Sequence, residues 1–240
     1  MAPIPERAWP DGARADDRPT PLAGPLPALY DTGAKGDPMT DAPQLYLVTP
    51  PEIGAEFPDR LSAVLDAHEI ACLRLDLATR DEDRVLRAAD LCREVAHRFD
   101  VPLVVTDHAA LVQRLGLDGV HLSDPRLVGK LRRDWGPDPI IGAFCGTSRH
   151  DGMNAGEAGA DYVSFGPAED TGLGDGSHAP LELFAWWSEM IELPVVAEGP
   201  LTVEGLARLA PVVDFVALGE EVWGADDPVA RLKELSAALT

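Results

Sequence analysis

The chain has 240 residues, of which 45% are hydrophobic, enough for the buried core of one large or two small α/β domains. Its formal net charge of −21 would repel nucleic acid and anionic lipid surfaces, so we expect neither as a partner. Three scattered cysteines argue against a disulfide framework, and no run approaches the roughly 18 apolar residues of a membrane span, so we predict a cytoplasmic protein.

The N-terminal segment differs in composition from the rest of the chain. Residues 1–43 are dense in proline, glycine, aspartate and alanine and have neither helical nor strand periodicity, which predicts a disordered tail. Met39 stands just before the first strand-like run, and translation starting there would leave most of this segment out. We expect the folded domain to cover residues 44–240.

From Gln44 onward, short runs rich in β-branched residues alternate with segments of helical periodicity, a pattern typical of βα units and a parallel sheet. The predicted strands are 45–49, 71–77, 102–107, 119–122, 140–145, 162–166, 194–197 and 215–218. The predicted helices are 58–68, 81–99, 108–115, 125–135, 149–158, 181–192, 203–209 and 228–239.

Eight such units in about 200 residues predict one closed (β/α)8 TIM barrel, with an open doubly wound sheet as the alternative. The first turn reads "TPPEIG" and lacks the glycine-rich fingerprint of an open dinucleotide-binding sheet. In a barrel, the site lies where the strands end at their carboxyl side, so those positions hold the candidate residues.

The second strand carries a charged pair among apolar residues. Alternation along "CLRLD" places Arg74 and Asp76 on the face opposite the leucines, which predicts that both point into the barrel. A buried arginine needs a partner, so Arg74 either pairs with Asp76 or binds an anionic substrate.

Carboxylates end the third and fourth strands. Asp107 and Asp124 could together hold Mg²⁺, which takes one or two carboxylates and completes its shell with water and phosphate oxygens. Each also has a structural interpretation, because Asp107 precedes a predicted helix and Asp124 precedes Pro125, where an aspartate caps a helix.

Two histidines are candidates for proton transfer. His121 lies inside the fourth strand, where a packed structural role is the alternative. His150 follows Ser148, a predicted helix cap, and would lie with Arg149 in the first turn of a helix, where an anion could bind.

The strings "LGLDGVHL" and "EAGADYVSFGP", with "TDHAALVQR", "PVVAEGPLT" and "DFVALGEEV", resemble thiamine phosphate synthase and its sister branch, the thiazole tautomerases. The likeness spans residues 45–239. It implies a TIM barrel that joins an aminomethylpyrimidine pyrophosphate to a thiazole phosphate, with Mg²⁺ on the leaving pyrophosphate. On this resemblance the substrate-binding residues are Arg74, Thr106, Gly166, Gly199 and Gly219, and the metal ligands are Asp107 and Asp124.

The sequence departs from the family pattern at several phosphate-binding positions. Asp76 stands where the family has a lysine, Arg126 where it has its second carboxylate, and Pro200 where it has a glycine. The segment after Gly166-Pro167 lacks the family's lysine, and acidic residues follow Gly219. We therefore predict a divergent site with feeble synthase turnover of both phosphorylated precursors.

Two alternatives stay open. The barrel could be catalytically inactive or repurposed, binding another small molecule or a protein, with homo-oligomerisation undecided. It could also be a tautomerase-like enzyme that uses His121 or His150 for proton transfer at a carbon acid, a reaction that needs no pyrophosphate site.

Overall fold

The computed structural model describes residues 42–170 and 177–240. Its eight parallel strands pair in chain order and the last pairs with the first, so the predicted closed barrel is confirmed and the open sheet is wrong. The predicted disordered segment, except residues 42 and 43, lies outside the described residues, as do residues 171–176. The strands are β1 Gln44–Val48, β2 Cys72–Leu75, β3 Leu103–Thr106, β4 Gly119–Leu122, β5 Ile140–Phe144, β6 Tyr162–Phe165, β7 Val195–Ala197 and β8 Phe215–Leu218.

Helices follow the strands and cover the outside of the barrel. They are α1 Phe57–Ala67, α2 Glu82–Arg98, α3 Ala109–Leu115, α4 Val128–Trp135, α5 Arg149–Glu157, α6 Leu181–Met190, α7 Val203–Leu209, α8 Glu220–Trp223 and α9 Pro228–Ser236. The predicted helix 125–135 begins as a 3-10 turn, and the short α8 was not predicted because four residues carry no periodicity. Across the two described ranges, no helix combines the length and apolar character needed to cross a membrane.

The core has two layers separated by the strands. Alternate strand residues fill the barrel interior, whereas their neighbours pack under the helices. On β2, Cys72 faces inward while Leu73 and Leu75 join the outer layer, as the alternation predicted. The interior layer consists of Tyr46, Cys72, Val104, Ile140, Tyr162, Val196, Phe215 and Ala217.

An aspartate precedes each of β4, β6 and β8 at the amino-terminal end of the barrel and ties that strand to the preceding one. The carboxylate of Asp118 accepts from Leu103 N at 2.8 Å, that of Asp161 from Ile141 N at 2.6 Å, and that of Asp214 from Val195 N at 2.8 Å. These bonds use strand amides that would otherwise lack a partner at the sheet's end. They fix strand register at the end opposite to the candidate site.

The cysteines are structural. All three are free and buried, and burial raises the pKa of each thiol to about 12. Thiols with such values stay protonated at neutral pH, and a protonated thiol is a poor nucleophile and metal ligand.

Candidate functional site

A buried arginine lies at the centre of the barrel mouth. Arg74 Nη1 donates to Glu198 Oε2 at 2.7 Å, and Arg74 Nη2 lies 3.5 Å from Asp76 Oδ2. The predicted pair with Asp76 is therefore present, but the shorter contact is with Glu198, which directly follows β7. Burial lowers the pKa of Arg74, but the neighbouring groups, Glu198 foremost, together outweigh it and the net shift is upward, so the guanidinium stays charged.

A hydrogen-bonded chain of aromatic side chains continues from Arg74 into the barrel interior. Glu198 Oε2 lies 3.9 Å from His121 Nε2, His121 Nδ1 lies 3.0 Å from the Tyr162 hydroxyl, and that hydroxyl lies 2.7 Å from the Tyr46 hydroxyl. His121 is 2% exposed. Burial, and secondly the charge of Arg74, hold the pKa of His121 well below its usual value, so the imidazole is neutral and its contact with Glu198 is not an ion pair.

The buried neutral histidine predicts a specific pH dependence of stability. Because the pKa of His121 is lower in the folded than in the unfolded chain, protons bind preferentially to the unfolded chain below about pH 6.5. We expect this one group to lower the free energy of unfolding by about 1.4 kcal/mol per pH unit as the pH falls below that value. Urea unfolding of the wild type and of His121→Gln at about pH 7.5 and about pH 5.5 measures the slope. Equal slopes would contradict the assignment.

Beside this network, a cavity of about 410 Å³ opens between the ends of β2 and β3. Two carboxylates, an arginine and several hydroxyl groups surround it. The polar lining residues are Asp76, Thr79, Arg80, Thr106, Asp107, His108 and Ser123. The cavity therefore brings together the predicted residues Thr106 and Asp107, and adds Asp76 and Arg80 to them.

Asp107 has an unusual backbone conformation at the cavity edge. Its φ of +59° lies in the left-handed region, and its Oδ1 accepts from Ser123 N at 2.8 Å. The bond holds the end of β4 against that of β3, and Oδ2 has no hydrogen bond to any residue in the described ranges. Asp107 is thus fixed in position by its own strand end and by the neighbouring one.

The second predicted metal ligand is engaged elsewhere. Asp124 caps the 3-10 turn through Arg126 N and binds the Arg126 guanidinium through both oxygens at 2.8 Å. It does not line the cavity that contains Asp107. The capping interpretation accounts for its contacts, and its role as a metal ligand stays a prediction.

Asp76 takes the position beside Asp107 instead. Thr106 lies beside it, and the buried Thr106 hydroxyl has no hydrogen-bond partner among the described residues. Burial raises the pKa of Asp76, Arg74 opposes this, and the nearby Glu198 and Asp107 raise it further. A divalent cation beside Asp76 would relieve this cost of ionising its carboxyl group.

At the opposite side of the mouth, a carboxylate of the chain itself occupies backbone amides. Glu221 Oε1 accepts from Leu201 N at 3.0 Å, and Glu221 Oε2 accepts from Gly219 N at 2.9 Å. Leu201 follows β7 and Gly219 follows β8, the two loops that commonly build the phosphate site of a TIM barrel. One glutamate therefore uses both donors.

A second glutamate accepts a hydrogen bond from the next backbone amide, that of Thr202. Glu169 Oε2 accepts from Thr202 N at 2.7 Å, while Glu169 Oε1 accepts from the Thr202 hydroxyl at 3.2 Å and from Arg208 Nη2 at 2.7 Å. Its carboxyl group packs on Gly205 so closely that a Cβ there would collide with it. The Arg208 guanidinium is thereby engaged with Glu169.

The predicted substrate-contacting glycines lie in the loops of this side. A Cβ at Gly166 would lie 2.5 Å from the Glu198 carbonyl oxygen, and one at Gly199, whose φ is +113°, would lie 2.8 Å from Pro167. Contacts within the chain thus already require glycine at both positions. At Gly219 a Cβ would make only ordinary van der Waals contacts. The functional group of Gly219 is its backbone N–H, which donates to Glu221 Oε2.

His150 lies apart from the barrel interior. It is exposed on α5, where its Nε2 lies 3.1 Å from Asn154 Nδ2. Its neighbour Arg149 stacks on Trp186, 4.3 Å from the ring centroid, so the predicted anion contact at this turn competes with a cation–π interaction. The structure does not bring His150 together with His121.

Two residues of the mouth were missed in the sequence, Glu198 and Arg80. Glu198 directly follows a strand, a position that could have drawn attention to it, but its contact with Arg74 depends on the closure of the barrel. Arg80 lies in the loop after β2 without any motif.

Comparison with known proteins gives the family. The sequence profile described as thiamine monophosphate synthase matches residues 45–222. The thiamine-phosphate synthase of Rhodospirillum centenum is 40% identical over 189 residues, covering 77% of this chain and 91% of that protein. That of Hyphomonas neptunium is 38% identical over 215 residues, covering 83% and 97%.

A solved structure agrees in fold. Thiamine phosphate pyrophosphorylase from Pyrococcus furiosus superposes with a TM-score of 0.71 at 23% identity, covering 82% of this chain and 95% of that one. Fold, profile match and identity to two curated relatives agree with the motifs noted in the sequence. The chain belongs to the thiamine monophosphate synthase family.

Proposed function

We propose that this chain catalyses the bond-forming step for which its relatives are named, the transfer of an aminomethylpyrimidine group from its pyrophosphate to a thiazole. The observation that carries the proposal is the cavity between β2 and β3, where Asp76, Asp107 and Arg80 surround a space of about 410 Å³. Its lining offers carboxylates for a cation and a guanidinium and hydroxyl groups for phosphate oxygens.

The residues of this cavity suit Mg²⁺. Asp107 Oδ2 and the Asp76 carboxylate would hold it, although the described residues contain no group of three or more such side chains. Mg²⁺ needs only one or two carboxylates when substrate phosphates complete its shell. When bound, it neutralises charge on the leaving pyrophosphate. Asp76, which replaces a lysine of the family, would thus recruit pyrophosphate through the metal.

Arg74 and Arg80 have different roles in this proposal. Arg80 is exposed at the cavity and would contact the pyrophosphate directly. Arg74 lies behind Asp76 and is held by Glu198, so it would orient the Asp76 carboxylate and offset the negative charge of the mouth. Its Nε, buried and without a hydrogen-bond partner among the described residues, leaves one donor for a ligand.

The cytoplasmic location, the inactive or repurposed barrel and the tautomerase-like reaction remain predictions. His121 is neutral but enclosed, and His150 is outside the barrel, so no contact favours proton transfer at a carbon acid over the transferase reaction.

The experiment that tests the proposal is coupling by the purified full chain. The protein is incubated with aminomethylpyrimidine pyrophosphate, Mg²⁺ and a thiazole acceptor supplied either as the phosphate ester or as the free alcohol. We expect protein-dependent release of pyrophosphate and formation of a thiazolium product, both lost when EDTA removes the metal. If neither acceptor gives product, the transferase function is wrong.

A further inference from the structure

Glu198 is a carboxylate of the mouth that has only one of its two oxygens in use. It directly follows β7, and its side chain is partly exposed. Glu198 Oε2 accepts from Arg74 Nη1 at 2.7 Å, whereas Oε1 has no hydrogen bond to any residue of the described ranges. Because the side chain is not fully enclosed, Oε1 is an acceptor that a ligand in the mouth can reach.

The orientation of this carboxylate is fixed within the protein itself. A Cβ at Gly166 would lie 2.9 Å from Glu198 Cγ, so the glycine leaves the room in which the glutamate side chain packs. The Arg74 guanidinium holds the carboxylate group. A charged group that is fixed in this way stabilises opposite charge that develops during a reaction without a cost of reorganisation.

Glu198 lies beside the cavity of the proposed pyrophosphate site. Arg74 contacts both Glu198 and Asp76, and Asp76 lines the cavity between β2 and β3. Two apolar side chains, Val48 and Ala217, belong to the interior cluster of the barrel below the mouth. The mouth therefore places a carboxylate oxygen and an apolar floor next to the cavity, which suits a flat heterocycle attached to the pyrophosphate.

The proposed reaction builds up positive charge on that heterocycle. The C–O bond between the pyrimidine methylene carbon and pyrophosphate breaks, and pyrophosphate leaves with the electron pair. Positive charge spreads from the methylene carbon over the ring to its amino group, until the thiazole nitrogen supplies the pair for the new C–N bond. No proton or further co-reactant is needed. A carboxylate that accepts from the amino group binds this cation more tightly than the neutral ring, which is the condition for a faster reaction.

We infer that Glu198 is a catalytic residue of the transferase, whose Oε1 accepts from the pyrimidine amino group and whose charge stabilises the cation that forms as pyrophosphate leaves. The inference rests on the proposed transferase function and adds the residue that recognises the pyrimidine. Arg74 does not cancel this effect, because two ionised carboxylates, Glu198 and Asp76, share its single positive charge.

Kinetics with two pyrimidine pyrophosphates test the inference, one with the amino group and one with hydrogen in its place. Glu198→Gln removes the charge but keeps an oxygen that accepts from Arg74, and it should lower kcat/KM for the aminopyrimidine by about 100-fold. With the analogue that lacks the amino group, the loss caused by the substitution should shrink to about tenfold or less, because the hydrogen bond is absent from both proteins. An equal loss with both substrates would overturn the inference and leave the transferase function intact.

A control variant and a binding measurement exclude a general effect of charge or of folding. Glu220→Gln removes an exposed carboxylate from the segment after β8 and should leave kcat/KM within about twofold. A loss as large as that in Glu198→Gln would show that the overall charge of the mouth, and not a contact of Glu198, is responsible. In calorimetry with the wild type, the pyrimidine alcohol should bind at least about fivefold more tightly than its analogue without the amino group. Equal affinities would overturn the inference without recourse to any variant.

Discussion

Replacing Arg74 with methionine is expected to lower the free energy of unfolding by about 3–5 kcal/mol and to abolish measurable coupling activity. Arg74 is 7% exposed and lies between Glu198, whose side chain is 16% exposed, and Asp76. Without it, the half-buried Glu198 carboxylate has no positive partner among the described residues at neutral pH, which costs more than the lost bond itself. Urea unfolding measures the first effect and product formation the second.

Two comparisons separate the charge from the packing. The double variant Arg74→Met with Glu198→Leu removes both charges and should recover most of the lost stability, because a buried ion pair is worth little against apolar groups of similar size. Arg93→Met removes an arginine from an ion pair on the outer surface of α2 and should cost less than about 1 kcal/mol. If the double variant is no more stable than Arg74→Met, an unpaired Glu198 is not the cause.

The Arg74 variant also reports on His121. Because the charge of Arg74 contributes to holding the pKa of His121 down, the pKa should rise in Arg74→Met, and the imidazolium could then pair with Glu198 at low pH. The wild type loses stability below about pH 6.5 and the variant should lose less, so the difference in the free energy of unfolding between the two should narrow as the pH falls.

The barrel could be predicted from the sequence because its elements follow local periodicity. Eight apolar runs with helical segments between them leave few other arrangements, and all eight strands form close to the predicted positions. The motifs "LGLDGVHL" and "EAGADYVSFGP" each contain an aspartate, Asp118 or Asp161, that ties strands together at the end of the barrel away from the mouth. These two aspartates therefore serve the scaffold.

The contacts of the site were less predictable because they join distant parts of the chain. Arg74 and Glu198 are separated by 124 positions, and Leu201 and Glu221 by 20. Alternation along β2 correctly placed Arg74 and Asp76 toward the interior, but only closure of the barrel brings β7 to them. The expected loss of phosphate affinity rested on acidic residues, a missing lysine and the proline at position 200; the contacts of Glu221 and Glu169 with backbone amides could not be predicted.

Replacing Asp107 with asparagine is expected to lower kcat/KM for coupling by about 100-fold or more, equivalent to about 2.7 kcal/mol of transition-state stabilisation. The substitution removes the negative charge of the carboxylate and nearly keeps the size of the side chain. Asparagine tolerates the left-handed φ of +59°, and its side-chain oxygen can still accept from Ser123 N. The free energy of unfolding should therefore change little while the apparent affinity for Mg²⁺ falls.

Two further asparagine substitutions serve as a control and as a test of the alternative metal ligand. Asp100→Asn repeats the change at the other aspartate with a left-handed φ, +55°, on the exposed end of α2, and should leave activity and stability nearly as they are. Asp124→Asn decides between the two predicted metal ligands. Because both Asp124 oxygens accept from Arg126, we expect its effect on kcat/KM to stay below about twofold. A large loss in Asp124→Asn together with a small one in Asp107→Asn would move the metal from the ends of β2 and β3 to the end of β4, and the cavity beside Asp76 would then lose its proposed role.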